Sequence, residues 1–282
     1  MQYGKDYHYV PVTSVKSGKV TPVRSDVTML TIQISNVIFI GTLGIDGYVI
    51  VDTGMPHQAE EVIKTAKDLY GSSSKPRAII LTHGHFDHVG NVIELVKEFD
   101  AHVYVHQKEL PYVTGEKAYP KADPTVEGGL IAKQSFLFPV EPIDLGERVH
   151  ALPPHGEVPF LKEFRWIHVP GHTPGQIALF RARDRLLIAA DAFVTTKEEN
   201  LYSVLTQQKA VSGPPKYLTP DWEPSKESFL KLYDLKPEFA VTGHGLPMSG
   251  KELKEGMAHL RDHWQEVAVP DHGRFAPEKT EE

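Results

Sequence analysis

The chain of 282 residues carries 30 basic and 37 acidic side chains, a formal net charge of −7, with 15 histidines and no cysteine. The missing cysteine excludes disulfides, iron–sulfur clusters, cysteine-ligated zinc and a cysteine nucleophile, and the net charge argues against a general basic surface for nucleic acid. No apolar run approaches the roughly 18 residues of a membrane span, and the N-terminus lacks a secretory pattern, so we expect a cytoplasmic protein. Any metal must therefore be bound by imidazole and carboxylate.

The first half of the chain alternates strand-like and helix-like segments. Residues 27–40 are rich in β-branched side chains and predict a strand, which a turn over 41–47 joins to a second strand over 48–52. Apolar side chains at helical spacing predict a helix over 58–70. A short buried strand over 78–81 then leads to a histidine-rich loop and a further helix. This alternation predicts an α/β layered fold.

Two proline-rich segments interrupt the second half of the chain. Eight of the 22 prolines lie within residues 111–159, where little periodicity is visible, and a second such segment covers residues 197–224. Long segments without regular structure are usually functional or mobile, so we expect both to cover the active-site mouth. Six aromatic side chains either line an apolar pocket or anchor these loops: Tyr119, Phe136, Phe138, Phe160, Phe193 and Trp222. Strands are predicted over 148–152, 164–169, 177–180, 186–190 and 238–242, with helices near 225–235 and 250–267.

The strongest chemical signal is the loop from His83 to His88, which reads His-Gly-His-Phe-Asp-His. His83 and His85 are two residues apart, so in extended backbone their side chains point to one side. Asp87 and His88 follow where the chain turns into a helix. One short loop can therefore direct two pairs of ligands at two neighbouring points, as in two-metal sites whose ions lie about 3.5–4 Å apart.

Three further candidate ligands follow predicted strands, namely His172, Asp191 and His244. Glycine beside each of the two histidines allows close approach of backbone and metal. Asp191 ends a buried apolar run, where its charge is costly unless it is paired or bound to metal. Taken singly, each has an ordinary alternative as a hydrogen-bonded histidine or a helix-capping aspartate. Together, the five histidines and two aspartates lie at the carboxyl ends of predicted strands, where open α/β sheets place their sites.

This set of residues resembles the metallo-β-lactamase superfamily over about residues 27–265. The matching motifs are Val51-Asp52-Thr53-Gly54, the loop from His83 to His88, and then His172, Asp191 and His244 in the family's order. The resemblance implies a four-layer αββα sandwich, here as a single domain over residues 1–282. It also implies two divalent metal ions, with Zn²⁺ the first choice for imidazole and carboxylate and Fe or Mn as alternatives.

The resemblance further implies a role for each matching residue. The first metal would be held by three histidines, His83, His85 and His172. The second metal would be held by Asp87, His88 and His244. Asp191 would bridge the two metals, whereas Asp52 would order the loops without binding metal.

The activity implied is hydrolysis of a small acyl substrate, an ester, lactone or thioester, by a hydroxide that bridges two metals. Asp87 and Asp191 would be the catalytic carboxylates, and Asp87 would also relay a proton to the leaving group. Lactonases of this family carry a tyrosine three residues after the bridging aspartate, where this chain has Val194. Tyr202, in the following loop, is an alternative source of that hydroxyl group.

Other activities remain open on the same fold. A mononuclear iron-dependent oxidoreductase of the persulfide dioxygenase type uses only the three histidines of the first metal site and the bridging position. The ligand list therefore does not exclude it. A β-lactamase, a phosphodiesterase and a catalytically silent scaffold are less favoured. The expected partner is a small-molecule substrate, with no nucleic acid and no membrane, and a homodimer is one alternative for the assembly.

Overall fold

The computed structural model describes residues 1–7, 14, 16–45, 47–127, 129–196 and 209–277. Within this part of the chain, seven strands form the first sheet in both chain order and spatial order. They are β1 (Val20–Arg24), β2 (Val27–Ile32), β3 (Ser35–Ile40), β4 (Val49–Val51), β5 (Ala78–Ile80), β6 (Val103–Val105) and β7 (Val149–Ala151). The strands from β1 to β4 pair antiparallel, and those from β4 to β7 pair parallel.

The second sheet has five strands in the described ranges. Their spatial order is β14 (Met248–Ser249), β13 (Phe239–Val241), β10 (Leu186–Ile188), β9 (Ile177–Arg181) and β8 (Phe164–His168). Beside it, β11 (Val194–Thr196) and β12 (Lys209–Ser212) form a two-stranded ribbon. The pairing of β10 with β13 is parallel, and both neighbours of β9 run antiparallel to it, so β8, β10 and β13 share one direction.

Helices cover the outer faces of both sheets. They are α1 (Ala59–Tyr70), α2 (Val92–Phe99), α3 (Leu110–Val113), α4 (Gly129–Gln134), α5 (Trp222–Asp234), α6 (Gly250–Asp262) and α7 (Trp264–Val267). The α1 helix buries Val62, Ala66 and Tyr70, which are spaced four residues apart on one face, and its chain leaves the helix at Gly71. None of the helices among the described residues is long and apolar enough to cross a membrane.

The alternation of side chains along the strands separates the cores. In β4, Val49 and Val51 pack between the sheets against residues of the second sheet such as Leu179 and Ile188. Ile50 points the other way and packs with side chains of α1 and α2. A third core lies between the second sheet and the helices α5, α6 and α7. Since a strand presents successive residues to opposite faces, this pattern builds the predicted αββα sandwich.

The prediction of one strand over residues 27–40 is wrong. This segment is a hairpin of β2 and β3, which pair from Val27–Ile40 to Ile32–Ser35. Gln33 occupies the turn with a positive φ of 57°. The turn was missed because no glycine, asparagine or proline marks it, although such residues usually supply this conformation. The predicted helix over 250–267 is likewise divided, at His263, into α6 and α7.

The expectation of little regular structure over residues 111–159 is also wrong. Besides β7, which matches the strand predicted over 148–152, the segment contains α4 and most of α3, and it buries Val113, Phe138, Ile143 and Leu145 in the core beneath α1 and α2. Its apolar residues are spaced irregularly because short helices and turns alternate there, so no single period is visible. In the second proline-rich segment, residues 197–208, with Tyr202, lie outside the described residues.

Candidate metal centre

All seven predicted ligands lie at one edge of the sandwich. The loop from His83 to His88 follows β5, and the other three ligands, His172, Asp191 and His244, follow β8, β10 and β13. Because these strands run parallel within their own sheets, their carboxyl ends meet at the same edge. The backbone N–H of Ile177 in the second sheet donates to the carbonyl oxygen of Thr82 (3.0 Å), which joins the two sheets there.

Three imidazoles form the first group, His83, His85 and His172. Nδ1 of His85 lies 3.1 Å from Nε2 of His83 and 2.9 Å from Nε2 of His172. All three side chains are buried. The three nitrogens therefore converge on one point, as the ligands of a metal ion do.

Asp87, His88 and His244 form the second group. Oδ2 of Asp87 lies 3.2 Å from Nε2 of His244 and 3.9 Å from Nε2 of His88. These side chains are also buried, and their nitrogen and oxygen atoms converge on a second point.

Asp191 lies between the two groups. Its Oδ2 atom is 3.5 Å from Nε2 of His172 and 4.0 Å from Nε2 of His83, both in the first group. The same atom is 3.3 Å from Nε2 of His88 and 3.3 Å from Nε2 of His244, in the second group. One carboxylate oxygen is thus within reach of both groups.

Hydrogen bonds to Asp52 fix the ring orientation of two histidines. Asp52 Oδ2 lies 2.8 Å from Nδ1 of His88, which must donate to it. Asp52 also accepts from the hydroxyl group of Thr82 (2.7 Å), so this hydroxyl has no proton left for Nδ1 of His83, 3.1 Å away. His83 must therefore carry its proton on Nδ1, and Nε2 keeps a lone pair directed into the site.

The Nδ1 partners of His172 and His244 place the ring protons in the same way. Nδ1 of His172 lies 2.9 Å from the hydroxyl group of Thr219, which donates its own proton to the carbonyl oxygen of Pro215 (2.7 Å). Nδ1 of His244 lies 3.0 Å from the carbonyl oxygen of Ile34, to which it must donate. Four imidazoles therefore hold a proton on Nδ1 and direct Nε2 into the site, and the neutral form of this tautomer is the one that binds a metal. Burial lowers the pKa of His88, but the carboxylates of Asp191, Asp87 and Asp52 outweigh it and raise that pKa well above the usual value, so a metal ion at His88 displaces a proton.

The protonation states of the ligands favour binding of a cation. Burial, reinforced by neighbouring imidazoles, lowers the pKa of His83 and of His85 well below the usual value, and burial lowers the pKa of His172 to about 4. Burial opposes ionisation of Asp191, yet the imidazoles of His244 and His88 hold its pKa well below the usual range. At neutral pH the first group is neutral and Asp191 is ionised, the protonation states that metal ligands require.

The residues present fit a pair of divalent cations. Oδ1 of Asp87 and Oδ1 of Asp191 are buried without a hydrogen-bond partner among the described residues. Unpaired buried carboxylate oxygens are costly, and a cation would satisfy them. Gly243 leaves the necessary space, because a Cβ atom there would overlap Oδ1 of Asp191 and lie 2.7 Å from Cε1 of His88.

Sequence reasoning missed several residues that support these ligands. Asn36 lies inside β3 and ties the loop of His244 to the first sheet, since its Nδ2 donates to the carbonyl oxygens of Thr242 (3.0 Å) and Gly245 (2.8 Å). Thr219 and Glu109 were missed as well. The signal for Asn36 was a polar residue directly before the apolar run of β3, and it does not reveal the partner.

Of the six aromatic residues considered for a pocket, Tyr119 contacts a predicted ligand, with its ring centroid 4.5 Å from that of His85. Phe193 and Trp222 lie in the core under the second sheet, and Phe138 packs against Phe86. Phe136 and Phe160 are exposed to solvent, by 64% and 54%. The described contacts therefore favour loop anchoring or core packing over a shared pocket for most of these side chains.

A comparison with family models agrees with this geometry. The model described as the metallo-beta-lactamase superfamily matches residues 30–244, well over half of the chain. The chain belongs to the metallo-β-lactamase superfamily. The αββα sandwich and the clustered histidine and aspartate side chains are the fold and the candidate metal site of this superfamily member.

Three known proteins illustrate the relationship. "Probable metallo-hydrolase YflN" of Bacillus subtilis (strain 168) is 47% identical over 253 residues, which cover 89% of this chain and 96% of that protein. A "Hydroxyacylglutathione hydrolase" of Methylobacillus flagellatus is 28% identical over 143 residues, 50% of this chain and 41% of that protein. The crystal structure of TTHA1623 "in a di-iron-bound form" is 25% identical, covers 76% of this chain and 89% of that chain, and has a TM-score of 0.52. The relationship of this superfamily member to these proteins thus supports a metal-dependent hydrolase.

Proposed function

We propose that the protein is a dinuclear metal hydrolase that cleaves small acyl substrates, namely esters, lactones or thioesters. The observation that carries this proposal is the position of Asp191, whose Oδ2 atom lies 3.3 to 4.0 Å from imidazole nitrogens of both groups. A bridging carboxylate serves a pair of ions, and a single ion held by the first group would leave the second group without a role.

The first group would hold one ion and the second group the other, with Asp191 shared. The nitrogen and oxygen donor set suits Zn²⁺, and the di-iron form of TTHA1623 supports iron as the alternative. When bound, two divalent ions supply hydroxide at neutral pH and polarise a carbonyl oxygen.

The chain's own residues orient these ligands and handle the proton. The Nδ1 hydrogen bonds described above direct Nε2 of His83, His88, His172 and His244 into the site. Asp87 has one oxygen near His244 and a second, Oδ1, with no hydrogen-bond partner among the described residues. We propose that Asp87, besides binding metal, accepts a proton and returns it to the leaving group.

The acyl substrate class rests on two further points. The relative described as hydroxyacylglutathione hydrolase supports an acyl transfer to water, with a thioester among the candidates. Val194 is buried in β11 and offers no hydroxyl group at the position where lactonases of the family carry tyrosine. Thioesters and simple esters are thus better supported than homoserine lactones.

The test compares metal content with activity. Wild type, His83→Ala and Asp191→Ala are loaded with Zn²⁺, and the metal per chain is measured by mass spectrometry together with hydrolysis of esters, lactones and thioesters. We expect two ions per chain in wild type, fewer in both variants and loss of hydrolysis. His102→Ala is the matched control, because His102 pairs with His150 on the exposed side of β7, away from the site.

Three results would overturn the proposal. Full metal occupancy in His83→Ala and Asp191→Ala would show that these residues are not ligands. Oxygen uptake with persulfides, by protein that carries one iron per chain and hydrolyses nothing, would identify an oxidoreductase. Phosphodiesters and β-lactams complete the panel, and a strong preference for either would replace the acyl class.

A further inference from the structure

Glu109 is a fully buried carboxylate at the start of α3 and is none of the predicted ligands. Its Oε1 atom accepts from the backbone N–H of Gly175 (2.7 Å) and from the hydroxyl group of Thr173 (2.8 Å). Its Oε2 atom accepts from the backbone N–H of Gly84 (3.1 Å) and from the hydroxyl group of Tyr119. Both oxygens are therefore satisfied by donors from outside α3.

The four donors explain why a carboxylate is tolerated there. Burial raises the pKa of Glu109, and the hydrogen bonds from Tyr119, Thr173, Gly175 and Gly84 oppose that effect. Hydrogen bonds to an ionised acceptor are roughly twice as strong as neutral ones. Such a cluster holds its donors in one arrangement, and removal of the acceptor leaves several of them buried and unpaired.

The donors belong to the loops that carry the first group. Gly84 lies between His83 and His85, and Thr173 directly follows His172. Glu109 thus ties the loop after β5 in the first sheet to the loop after β8 in the second sheet. None of the four hydrogen bonds involves a residue of the second group.

Two glycines allow this close approach. A Cβ atom at Gly175 would lie 2.8 Å from Cγ of Glu109 and 2.9 Å from its backbone nitrogen. A Cβ atom at Gly84 would lie 2.7 Å from the hydroxyl oxygen of Tyr119. A larger residue at Gly175 would therefore collide with Glu109, and one at Gly84 would collide with Tyr119.

Tyr119 completes the cluster. Its hydroxyl oxygen accepts from the backbone N–H of Gly84 (3.0 Å), and its ring stacks on that of Tyr112 with centroids 4.0 Å apart. The edge of the cluster meets His85, whose ring centroid lies 4.5 Å from that of Tyr119. Tyr119 thus connects Glu109 to the one imidazole of the site that would use Nδ1.

We propose that Glu109, supported by Tyr119, is a positioning residue that sets the geometry of the first metal ion and not that of the second. This inference rests on the proposed dinuclear function. Residues that orient metal ligands from behind typically contribute a factor of about 10–100 to metal affinity. The effect is selective here because Glu109 contacts the neighbours of all three ligands in the first group.

The experiment uses Glu109→Gln, which keeps the shape of the side chain but replaces one acceptor oxygen with a donor. The new amide group must face either Gly84 and Tyr119 or Thr173 and Gly175, so one loop loses its partner. Zn²⁺-loaded protein is titrated with a competing chelator, and the affinities of both ions are obtained. Loading with Co²⁺ gives an absorption spectrum that reports the ligand geometry.

The matched control is Asp26→Asn. Asp26 also joins the two sheets, through Nη1 (2.6 Å) and Nη2 (3.1 Å) of Arg181, but at the opposite end of β9 from the site. It tests whether weakening any carboxylate link between the sheets loosens the metals. The Tyr119→Phe variant provides a second, milder perturbation of the Glu109 cluster.

The expected result is a loss of about 10- to 100-fold in the affinity of one ion, an altered Co²⁺ spectrum, and no change in the other ion. Placed in a His244→Ala chain, where the second group is broken, Glu109→Gln must still weaken the remaining ion. Tyr119→Phe should lower the affinity for the same ion, whereas Asp26→Asn should leave the affinities for both ions unchanged.

The inference would be overturned if Glu109→Gln lowered the affinities of both ions equally, or changed neither. The same loss of affinity in Asp26→Asn would also overturn it. If wild type binds a single ion, the dinuclear function fails. The inference is then judged separately, by whether Glu109→Gln loosens that one ion and Asp26→Asn does not.

Discussion

Oδ2 of Asp52 lies 2.8 Å from Nδ1 of His88, on the opposite side of the ring from the Nε2 atom that faces Asp191. The same oxygen accepts from the hydroxyl group of Thr82, and Oδ1 accepts from the backbone N–H of Thr82 (2.7 Å). One buried carboxylate thereby orients His88 directly and His83 through Thr82. Asp52 itself adopts a positive φ of 58° to reach this position.

The first prediction concerns this carboxylate. Asp52→Asn places an amide group either at Oδ2, where it opposes Nδ1 of His88 and the hydroxyl group of Thr82, or at Oδ1, where it opposes the backbone N–H of Thr82. In both cases a group that holds His88 or the loop of His83 loses its acceptor. We expect metal affinity to fall about 10- to 100-fold while the fold persists, as measured by chelator competition and circular dichroism. Asp262→Asn, at an exposed surface position, is the control. Wild-type affinity in Asp52→Asn would contradict this role.

A second prediction concerns the space beside Asp191. Gly243→Ala introduces a Cβ atom that overlaps Oδ1 of Asp191, and overpacking of this kind typically costs about 1–3 kcal/mol. We expect a lower free energy of unfolding together with weaker metal binding, measured by urea denaturation and chelator titration. Gly250→Ala is the control, because no atom lies within 4 Å of the Cβ added there, although Gly250, unlike Gly243, has a positive φ. A loss of metal affinity in both variants would show that the overlap is not the cause.

The third prediction concerns metal removal. Ions that bind only the folded state stabilise it by mass action, by about 4 kcal/mol when the free metal exceeds its Kd a thousandfold. Chelation should therefore lower the midpoint of thermal unfolding, and added Zn²⁺ should restore it. In Asp191→Ala the midpoint should respond much less to chelator. An identical response in wild type and Asp191→Ala would contradict a bound metal at this site.

The fourth prediction concerns pH and a histidine pair outside the site. Burial, followed by His168 and Lys108, lowers the pKa of His106 to about 4, and its ring stacks on His168 with centroids 4.4 Å apart. The pKa of histidine in the unfolded chain is about 6.5, so between pH 6.5 and 4 the unfolded chain binds a proton that folded His106 does not. The free energy of unfolding is therefore unaffected by His106 above pH 6.5 and decreases as the pH falls towards 4.

His106→Phe keeps an aromatic ring against His168 but removes the titration. We expect the variant to lose less free energy of unfolding than wild type between pH 6.5 and 4, as measured by urea denaturation at each pH. Parallel pH curves for the two proteins would show that His106 does not contribute.

The sequence by itself determined the chemistry of the site and the layers of the fold. Histidine and aspartate are chemically fit to bind metal wherever the chain places them, so the loop from His83 to His88 was recognisable without coordinates. The period of two along β4 and of about four along α1 likewise follows from local backbone geometry, which neighbouring residues dictate. The turn at Gln33, the break at His263 and the short helices of residues 111–159 escaped this local reasoning.

The tertiary structure decided which polar groups meet. Thr219 orients His172 from 47 positions away, and Asn36 reaches Gly245 across 209 positions. Glu109 meets Gly175 across 66 positions and Gly84 across 25. A buried donor or acceptor must find a partner, but its local sequence does not specify which one. The tautomers of the histidines, and with them the direction of their lone pairs, depend on these distant contacts and emerge only when the sheets pack.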